Sequence, residues 1–194
     1  MKFSALLSIA ILLMPSLLFS QAKDLAEYKP CEATGLKIVQ ADRLPTRPMT
    51  RSVKTADGEK PITMVDGWRA LYLLLPAEPM LNLKFEKLEA TNWTEQKSWL
   101  TASLRELAKD DSNDHELREK AFGQIHSYTL TRKSLEGGVL SISELFNDIG
   151  HDVMTVYYLN DEPAERQFQN MQEFEKLRDR ILDELGRCME NAAK

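Results

Sequence analysis

The chain has few of the residues that metal and redox sites usually need. Two cysteines, Cys31 and Cys188, and three histidines are present among its 194 residues. The cysteines lack the paired spacing of zinc ligands, and there is no C-x-x-C motif for dithiol chemistry. The histidines do not form an H-E-x-x-H motif. The sequence therefore predicts no metal site.

The familiar signatures of catalysis and nucleotide binding are also missing. The chain contains no G-x-S-x-G turn for a nucleophilic serine, no G-x-G-x-x-G and no P-loop. We therefore predict no cofactor, nominate no catalytic residue and favour a protein that is not an enzyme. A secreted hydrolase using a carboxylate or histidine outside any motif is one alternative. A periplasmic carrier of a small ligand is another.

An excess of positive charge is absent as well. The chain has 25 basic and 30 acidic residues, which gives a formal net charge of -5. Binding to the phosphates of nucleic acid requires a concentrated positive face, and so does docking on anionic lipid. The composition therefore excludes nucleic acid as an expected partner.

Only the first 22 residues carry a long apolar run. Lys2 provides a positive start, residues 3–19 are almost wholly apolar, and Ser20 and Ala22 are the small residues that a signal peptidase requires. We predict a signal peptide over residues 1–22 that is removed on export to the periplasm or the exterior. Its retention as an anchor is the alternative. No later run is apolar enough to cross a bilayer, so we expect no transmembrane span after cleavage.

The remaining residues, 23–194, are long enough for one globular domain. Removal of the signal takes away one lysine and no acid, so the net charge changes from -5 to -6. We expect an acidic monomer with an N-terminal segment, 23–60, followed by a folded region, 61–194. Outside the cytoplasm two cysteines predict one disulfide, Cys31 to Cys188, with two separate thiols as the alternative.

Two groups of residues are candidate binding features. Residues 43–60 contain Pro45, Pro48 and Gly58 and few large apolar residues, which predicts a long exposed loop or a strand with an excursion. Its basic side chains are the expected contact with an acidic partner, and they are Arg43, Arg47, Arg51, Lys54 and Lys60. A solvated loop is the alternative. Exposed aromatic side chains also mark binding surfaces, and the candidate patch is Trp68, Tyr72 and Trp93, with burial of these rings as the alternative.

The spacing of apolar residues predicts strands over most of the folded region. Two apolar runs flank the pair Asp66-Gly67, which is a hairpin signal. Residues 81–86 alternate in polarity, as a half-buried strand does. Residues 123–132, 139–146 and 153–159 predict an antiparallel meander of three strands.

Helical spacing appears in two long segments. One predicted helix begins at Thr94 as its cap and presents an apolar stripe through Leu100 and Leu104. A short helix is expected to follow through Leu117. The last helix is predicted over residues 163–189, capped by residue 160 or 161. The fold class we predict is α+β, a mostly antiparallel sheet of about 5–6 strands packed by a mid-chain helix and a long C-terminal helix.

The order of strands, helix, three-stranded meander and long helix resembles the PsbP-like α/β/α sandwich superfamily over about residues 61–185. Leu81-Asn82-Leu83-Lys84-Phe85 matches its mid-chain strand. The residues that match its meander are Ser127 to Leu130, Gly137-Gly138 and Thr155 to Leu159. The resemblance implies an assembly factor or adaptor, and it supplies no catalytic residues.

Together these features predict an exported, non-catalytic binding or assembly module of the bacterial cell envelope. It would act through contact with another envelope or secreted protein. Inhibition of a toxin delivered to the periplasm, as an immunity protein does, is one form that this role takes.

Overall fold

A computed structural model describes residues 36–43, 48–74, 80–109, 114–135, 138–159 and 168–192. Eight strands, two α-helices and one 3-10 turn (Ala90–Asn92) lie in these ranges. In chain order they are β1 (Leu36–Arg43), β2 (Met49–Thr55), β3 (Gly58–Leu74), β4 (Met80–Leu88), α1 (Trp93–Lys109), β5 (His115–Phe122), β6 (Ile125–Arg132), β7 (Val139–Asn147), β8 (Asp152–Leu159) and α2 (Met171–Ala192). Neither helix is long and apolar enough to span a bilayer.

All strand pairs are antiparallel, and seven strands form one path in the order β1-β3-β4-β8-β7-β6-β5. The eighth strand, β2, pairs with the first half of β3. The sheet curls into a half-barrel. The predicted sheet of 5–6 strands is therefore wrong. We undercounted because β2 and β5 carry few apolar residues and were not recognised as strands, although Leu36, Ile38 and Val39 had indicated a possible strand where β1 lies.

The two helices cover opposite faces of the sheet. Phe146 and Val153 pack with Trp93 and Leu100 of α1. Their chain neighbours Leu145 and Met154 pack in a second cluster that includes Phe174, Ile181 and Leu185 of α2. Successive side chains of a strand point to opposite faces, so one apolar segment supplies both cores.

The C-terminal helix begins later in the chain than predicted. α2 starts at Met171, and the side chain of Asn170 accepts a hydrogen bond from the backbone N–H of Glu173 at 3.0 Å. An asparagine in that position satisfies one of the donors that every helix leaves unpaired at its start. The caps predicted at residues 160 and 161 lie outside the described residues.

Two local predictions in the middle of the chain are wrong. Asp66-Gly67 makes no hairpin, because β3 continues through it with an irregularity in register between Met64 and Asp66. The Asp66 carboxylate accepts a hydrogen bond from the N–H of Gly67 at 2.8 Å, and glycine inside a strand often marks such a bulge. The short helix expected through Leu117 is strand β5, whose residues pair with β6.

The predicted long loop over residues 43–60 is mostly strand. β1 ends at Arg43, and β2 and β3 form a hairpin around a two-residue turn. Gly58 supplies the positive φ of 101° next to that turn. β3 also crosses the boundary that we drew between residues 60 and 61. The β-branched residues Thr50, Val53 and Thr55 favour strand over loop, a preference that the prolines and charges obscured.

A glycine in α2 provides a sharp test of the packing between helix and sheet. A Cβ added to Gly186 would lie 2.5–2.9 Å from ring atoms of Phe122. Gly186→Ala should improve helix propensity by about 1 kcal/mol. We nevertheless expect a net loss of about 1–3 kcal/mol in the free energy of unfolding, because the core is overpacked. Urea denaturation would measure it, and a Phe122→Leu background should recover part of the loss. Stabilisation in the wild-type background would contradict this packing.

Candidate binding surface

The predicted basic residues are spread over three strands. Arg43 ends β1, Arg51 and Lys54 lie on β2, and Lys60 lies near the start of β3. Arg47 lies outside the described residues. The residues 49–60, which form the exposed end of the β2–β3 hairpin, are called the hairpin surface below.

The Arg51 side chain faces the interior and is already bound to an acidic residue of the protein. Its guanidinium donates two hydrogen bonds to the Glu86 carboxylate, at 3.1 and 2.9 Å, and Lys84 approaches the same carboxylate at 3.0 Å. Burial favours the neutral form of Glu86, but Arg51 and Lys84 outweigh it and hold its pKa below the usual value. Arg51 therefore fastens β2 to β4 rather than facing a partner.

Lys54 and Lys60 differ from Arg51. Lys54 is exposed and Lys60 is half-buried, and neither forms an ion pair with any residue in the described ranges. Both lie close to the hairpin turn, one on each strand. Glu59 lies opposite Lys54 in register and Asp57 lies in the turn, so the charges of these two acids balance those of the two lysines.

The hydrogen bonds of Thr63 show which residue pairs of β2 and β3 are hydrogen-bonded to each other and which are not. Its backbone N–H donates to the Gln96 side chain at 2.6 Å, and its carbonyl accepts from the N–H of Glu89 at 3.2 Å. Both backbone groups therefore point away from β2, so Thr63 and its register partner Thr50 form a non-hydrogen-bonded pair. Pairs in an antiparallel ladder alternate, and Pro61, which has no N–H, lies opposite Ser52 as this phase requires.

The outer edge of β2 consequently presents unpaired backbone groups. The N–H and C=O of Thr50, Ser52 and Lys54 point away from β3, and β2 pairs with no other strand of the described chain. The side chains of these three residues are exposed. This edge is a template for a further strand.

A groove of about 480 Å³ lies between the hairpin turn and the end of α1. Lys54, Thr55 and Ala56 line it from the hairpin. Leu107, 42% exposed, and Lys109 line it from the helix, and Lys109 is only 3.5 Å from Glu106 in an exposed pair. The groove therefore combines an apolar contact with two lysines and the carboxylate of Glu106.

The structure describes no exposed patch formed by the three predicted aromatic residues. Trp93 is buried, its ring centroid lies 6.2 Å from that of Phe146, and its indole N–H donates to Asp148 at 2.9 Å. Trp68 and Tyr72 lie on β3 opposite Phe85 and Leu81 in register, and only their backbone is described.

Only one of the two cysteines lies within the described residues. Cys188 is buried in α2 within the core cluster beneath that helix. Cys31 lies outside the described residues, so the disulfide between them stays a prediction.

Sequence reasoning missed Glu144, a carboxylate buried in β7. Its side chain is 7% exposed, and its Oε2 atom has no hydrogen-bond partner in the described structure. Burial raises its pKa to about 7, and the negative charge of Glu86 adds to the rise while Arg51 and Lys84 oppose it. The sequence signal that could have revealed it is an acidic residue directly before the apolar pair Leu145-Phe146 in a predicted strand.

No group of three or more metal-ligating side chains occurs within the ranges that the structure describes. Comparison with known proteins found no matching family model, no matching curated protein and no matching solved structure.

Proposed function

We propose that this protein is an exported, non-catalytic binding module of the bacterial cell envelope that docks another protein on its hairpin surface. The observation that carries the proposal is the outer edge of β2, where the backbone groups of Thr50, Ser52 and Lys54 point away from β3 and pair with no strand of the described chain. An unpaired strand edge is a template for pairing with another chain. Inhibition of a toxin in the periplasm is one role that such docking would serve.

Arg51 supports the same proposal through the rigidity of the surface. Its bidentate contact with Glu86 holds the edge strand on the sheet beside Lys54. A binding surface held in one conformation loses less entropy on association than a mobile loop does. The hairpin is therefore a better docking element than the exposed loop predicted from the sequence.

The test is affinity capture from envelope extract of the source bacterium with two charge variants of residues 23–194. Lys54→Glu with Lys60→Glu reverses the charge of the hairpin surface. Lys176→Glu with Arg180→Glu makes the same change in net charge on the exposed side of α2, where neither residue has an ion pair among the described residues. Bound proteins are identified and quantified by mass spectrometry.

We expect one stoichiometric partner that binds the wild type and the α2 variant, and at least a tenfold loss of it with the hairpin variant. Circular dichroism and thermal melting would establish that both variants fold. Equal capture by all three proteins would refute docking on the hairpin surface, and so would equal loss from both variants.

A secreted hydrolase is the second candidate, and the buried Glu144 is the observation that favours it. A carboxyl group with a pKa of about 7 has the range that general acid–base catalysis needs. A catalytic acid must also reach its substrate, and the side chain of Glu144 is buried. Hydrolytic activity lost in Glu144→Gln, with folding retained, would favour this candidate over the binding module.

A further inference from the structure

We infer that the cleft between the first half of α1 and the β7–β8 turn binds an uncharged saccharide. Side chains of α1, of β6 and of that turn line the cleft. The hairpin surface lies at the opposite end of α1, where residues 103–109 face it. The inference therefore goes beyond the proposed function and does not depend on it.

The cleft has the size and the hydroxyl groups of a polar small-molecule site. Its volume is about 640 Å³, and small-molecule sites occupy roughly 300–1,000 Å³. Thr94, Ser98 and Thr101 line it from one face of α1, and Tyr128 lines it from β6. Thr101 already donates to the carbonyl of Ser98 at 3.0 Å and remains an acceptor. Because a hydroxyl both donates and accepts, this lining matches a ligand that carries hydroxyls itself.

The Asp148 carboxylate is held in one orientation at the side of the cleft. Its Oδ1 atom accepts from the indole N–H of Trp93 at 2.9 Å and from Lys97 at 2.7 Å, and its Oδ2 atom accepts from Lys97 at 2.8 Å. Burial opposes ionisation, but these bonds, with a smaller effect of His126, hold the pKa of Asp148 below its usual value. Three donors leave part of its capacity of about four bonds free for a ligand hydroxyl.

His151 lines the cleft in a backbone conformation that favours glycine. Its φ is 56°, in the left-handed region that few other residues adopt. Its ring centroid lies 5.6 Å from that of Trp93, a contact that glycine would not make. Strained residues of this kind cluster at ligand sites. The half-buried rings of His151 and Tyr128 provide apolar surface for the C–H groups of a sugar ring.

The charges around the cleft cancel, which selects an uncharged ligand. With histidine counted as neutral, the charged groups of its described lining are Lys97 and Asp148, and they are bound to each other. Arg105 lies over the Tyr128 ring at 5.5 Å and is itself paired with Glu119 at 2.9 Å. A charged ligand would have to compete with these pairs, whereas an uncharged polyhydroxylated ligand leaves them intact.

The probes for the first experiment are the uncharged methyl glycosides of glucose, galactose, mannose and N-acetylglucosamine. Each is titrated to about 50 mM into the ¹⁵N-labelled mature protein, and its amide signals are followed by NMR. We expect at least one glycoside to shift the signals of Ser98, Asp148 and His151 saturably, while those of residues 49–60 stay unchanged. Absence of saturable shifts with all four would overturn the inference, and so would shifts confined to other residues.

The second experiment compares the best glycoside with two analogues of it, one with an amine at C6 and one with a carboxylate there. We expect both charged analogues to bind the wild type about tenfold more weakly than the uncharged parent, because each meets an ion pair that is already complete. A wild type that binds either analogue more tightly than the parent would overturn the assignment of an uncharged ligand.

Two variants should change this selectivity in opposite directions. Asp148→Asn leaves Lys97 without its counter-ion, so the carboxylate analogue should become the tightest ligand. Lys97→Met leaves Asp148 unpaired, so the amine analogue should become the tightest. Glu95→Gln makes the same change in net charge as Asp148→Asn on an exposed residue outside the lining, and it should keep the wild-type order with affinities within about twofold.

His151→Asn tests the ring, because asparagine accepts the left-handed conformation without supplying an aromatic side chain. We expect about tenfold weaker binding of the uncharged glycoside. Unchanged amide signals of residues 49–60 would establish that each variant folds. Wild-type selectivity in both Asp148→Asn and Lys97→Met would overturn the site even if a glycoside binds. Capture of a protein partner on the hairpin surface is tested separately, so the proposed function would stand in that case.

Discussion

Replacing Arg178 with Ala is expected to lower the free energy of unfolding by about 3–5 kcal/mol. The side chain is 0% exposed, although it carries a charge. One terminal nitrogen donates to the hydroxyl of Thr131 at 2.7 Å, and two other nitrogens donate to Asp179 at 2.7 and 2.9 Å. Truncation would leave a cavity under α2 and remove these bonds from a buried site.

Hydroxyl groups under α2 explain why this arginine is tolerated in the core. Thr131 contacts Ser141 at 2.9 Å, and Thr129 contacts Ser143 at 3.0 Å, all four being buried between the sheet and the helix. Buried polar groups that are fully hydrogen-bonded give a rigid layer, whereas the same groups without partners are costly. Truncating Arg178 is therefore expected to weaken the hydrogen bonds of these hydroxyl groups as well as removing its own.

Urea denaturation of Arg178→Ala, Arg178→Lys and Arg180→Ala would measure the effect. Arg180 is an exposed arginine on the same helix and should cost less than about 0.5 kcal/mol. The lysine variant should fall between the other two, because one ammonium group does not reproduce the spread of the guanidinium nitrogens. A change within 1 kcal/mol for Arg178→Ala would contradict the buried network.

Replacing Glu144 with Gln is expected to flatten the dependence of stability on pH. The pKa of Glu144 is about 7 in the folded protein against an ordinary value of 4.5, so the native state binds the proton more tightly. Its contribution to stability is complete below about pH 4.5 and is lost as the pH rises through 7. By linkage the wild type should lose about 2–3 kcal/mol between pH 5 and 8 through this one group.

The groups that face Glu144 provide the control for this prediction. Arg51 of β2, Lys84 and Glu86 of β4 and Tyr157 of β8 all act on it or respond to its charge. Tyr128 of β6 is its register partner. Glu86 has a lowered pKa, so its contribution is present above about pH 4.5 and is lost as the pH falls.

Glu86→Gln should therefore destabilise the protein at pH 7 and relatively less at pH 4, the opposite trend to Glu144→Gln. Burial also raises the pKa of Asp152, to about 6. Asp152 therefore contributes a further loss of stability as the pH rises, in the same direction as Glu144 and in all three proteins. Urea denaturation at pH 4, 5, 7 and 8 for the wild type and both variants separates these contributions. A pH dependence of Glu144→Gln equal to that of the wild type would contradict an uncharged Glu144 in the core at pH 5.

The sequence predicted the elements whose apolar spacing is strong. The meander β6–β7–β8 lies within two residues of its predicted bounds, because residues 125–132 alternate along the strand and residues 153–159 are rich in β-branched and aromatic side chains. α1 begins one residue before its predicted cap. The stripe from Phe174 to Leu185 predicted the apolar face of α2.

The elements that we missed are stabilised by contacts distant in sequence. β2 has an exposed outer side and depends on pairing with β3 and on the bond from Arg51 to Glu86, which lies 35 residues away. β5 was mistaken for a helix because its charges have no strand period. The position of Glu144 beside Glu86 depends on the pairing of β4 with β8 and of β8 with β7, which local spacing does not predict.

The most direct test of the binding proposal is hydrogen exchange of the mature protein with and without its captured partner. We predict protection concentrated in residues 49–60 and in the last two turns of α1, with little change around Asp148 and His151 at the other end of that helix. Protection at that other end, with the hairpin unchanged, would contradict docking on the hairpin surface.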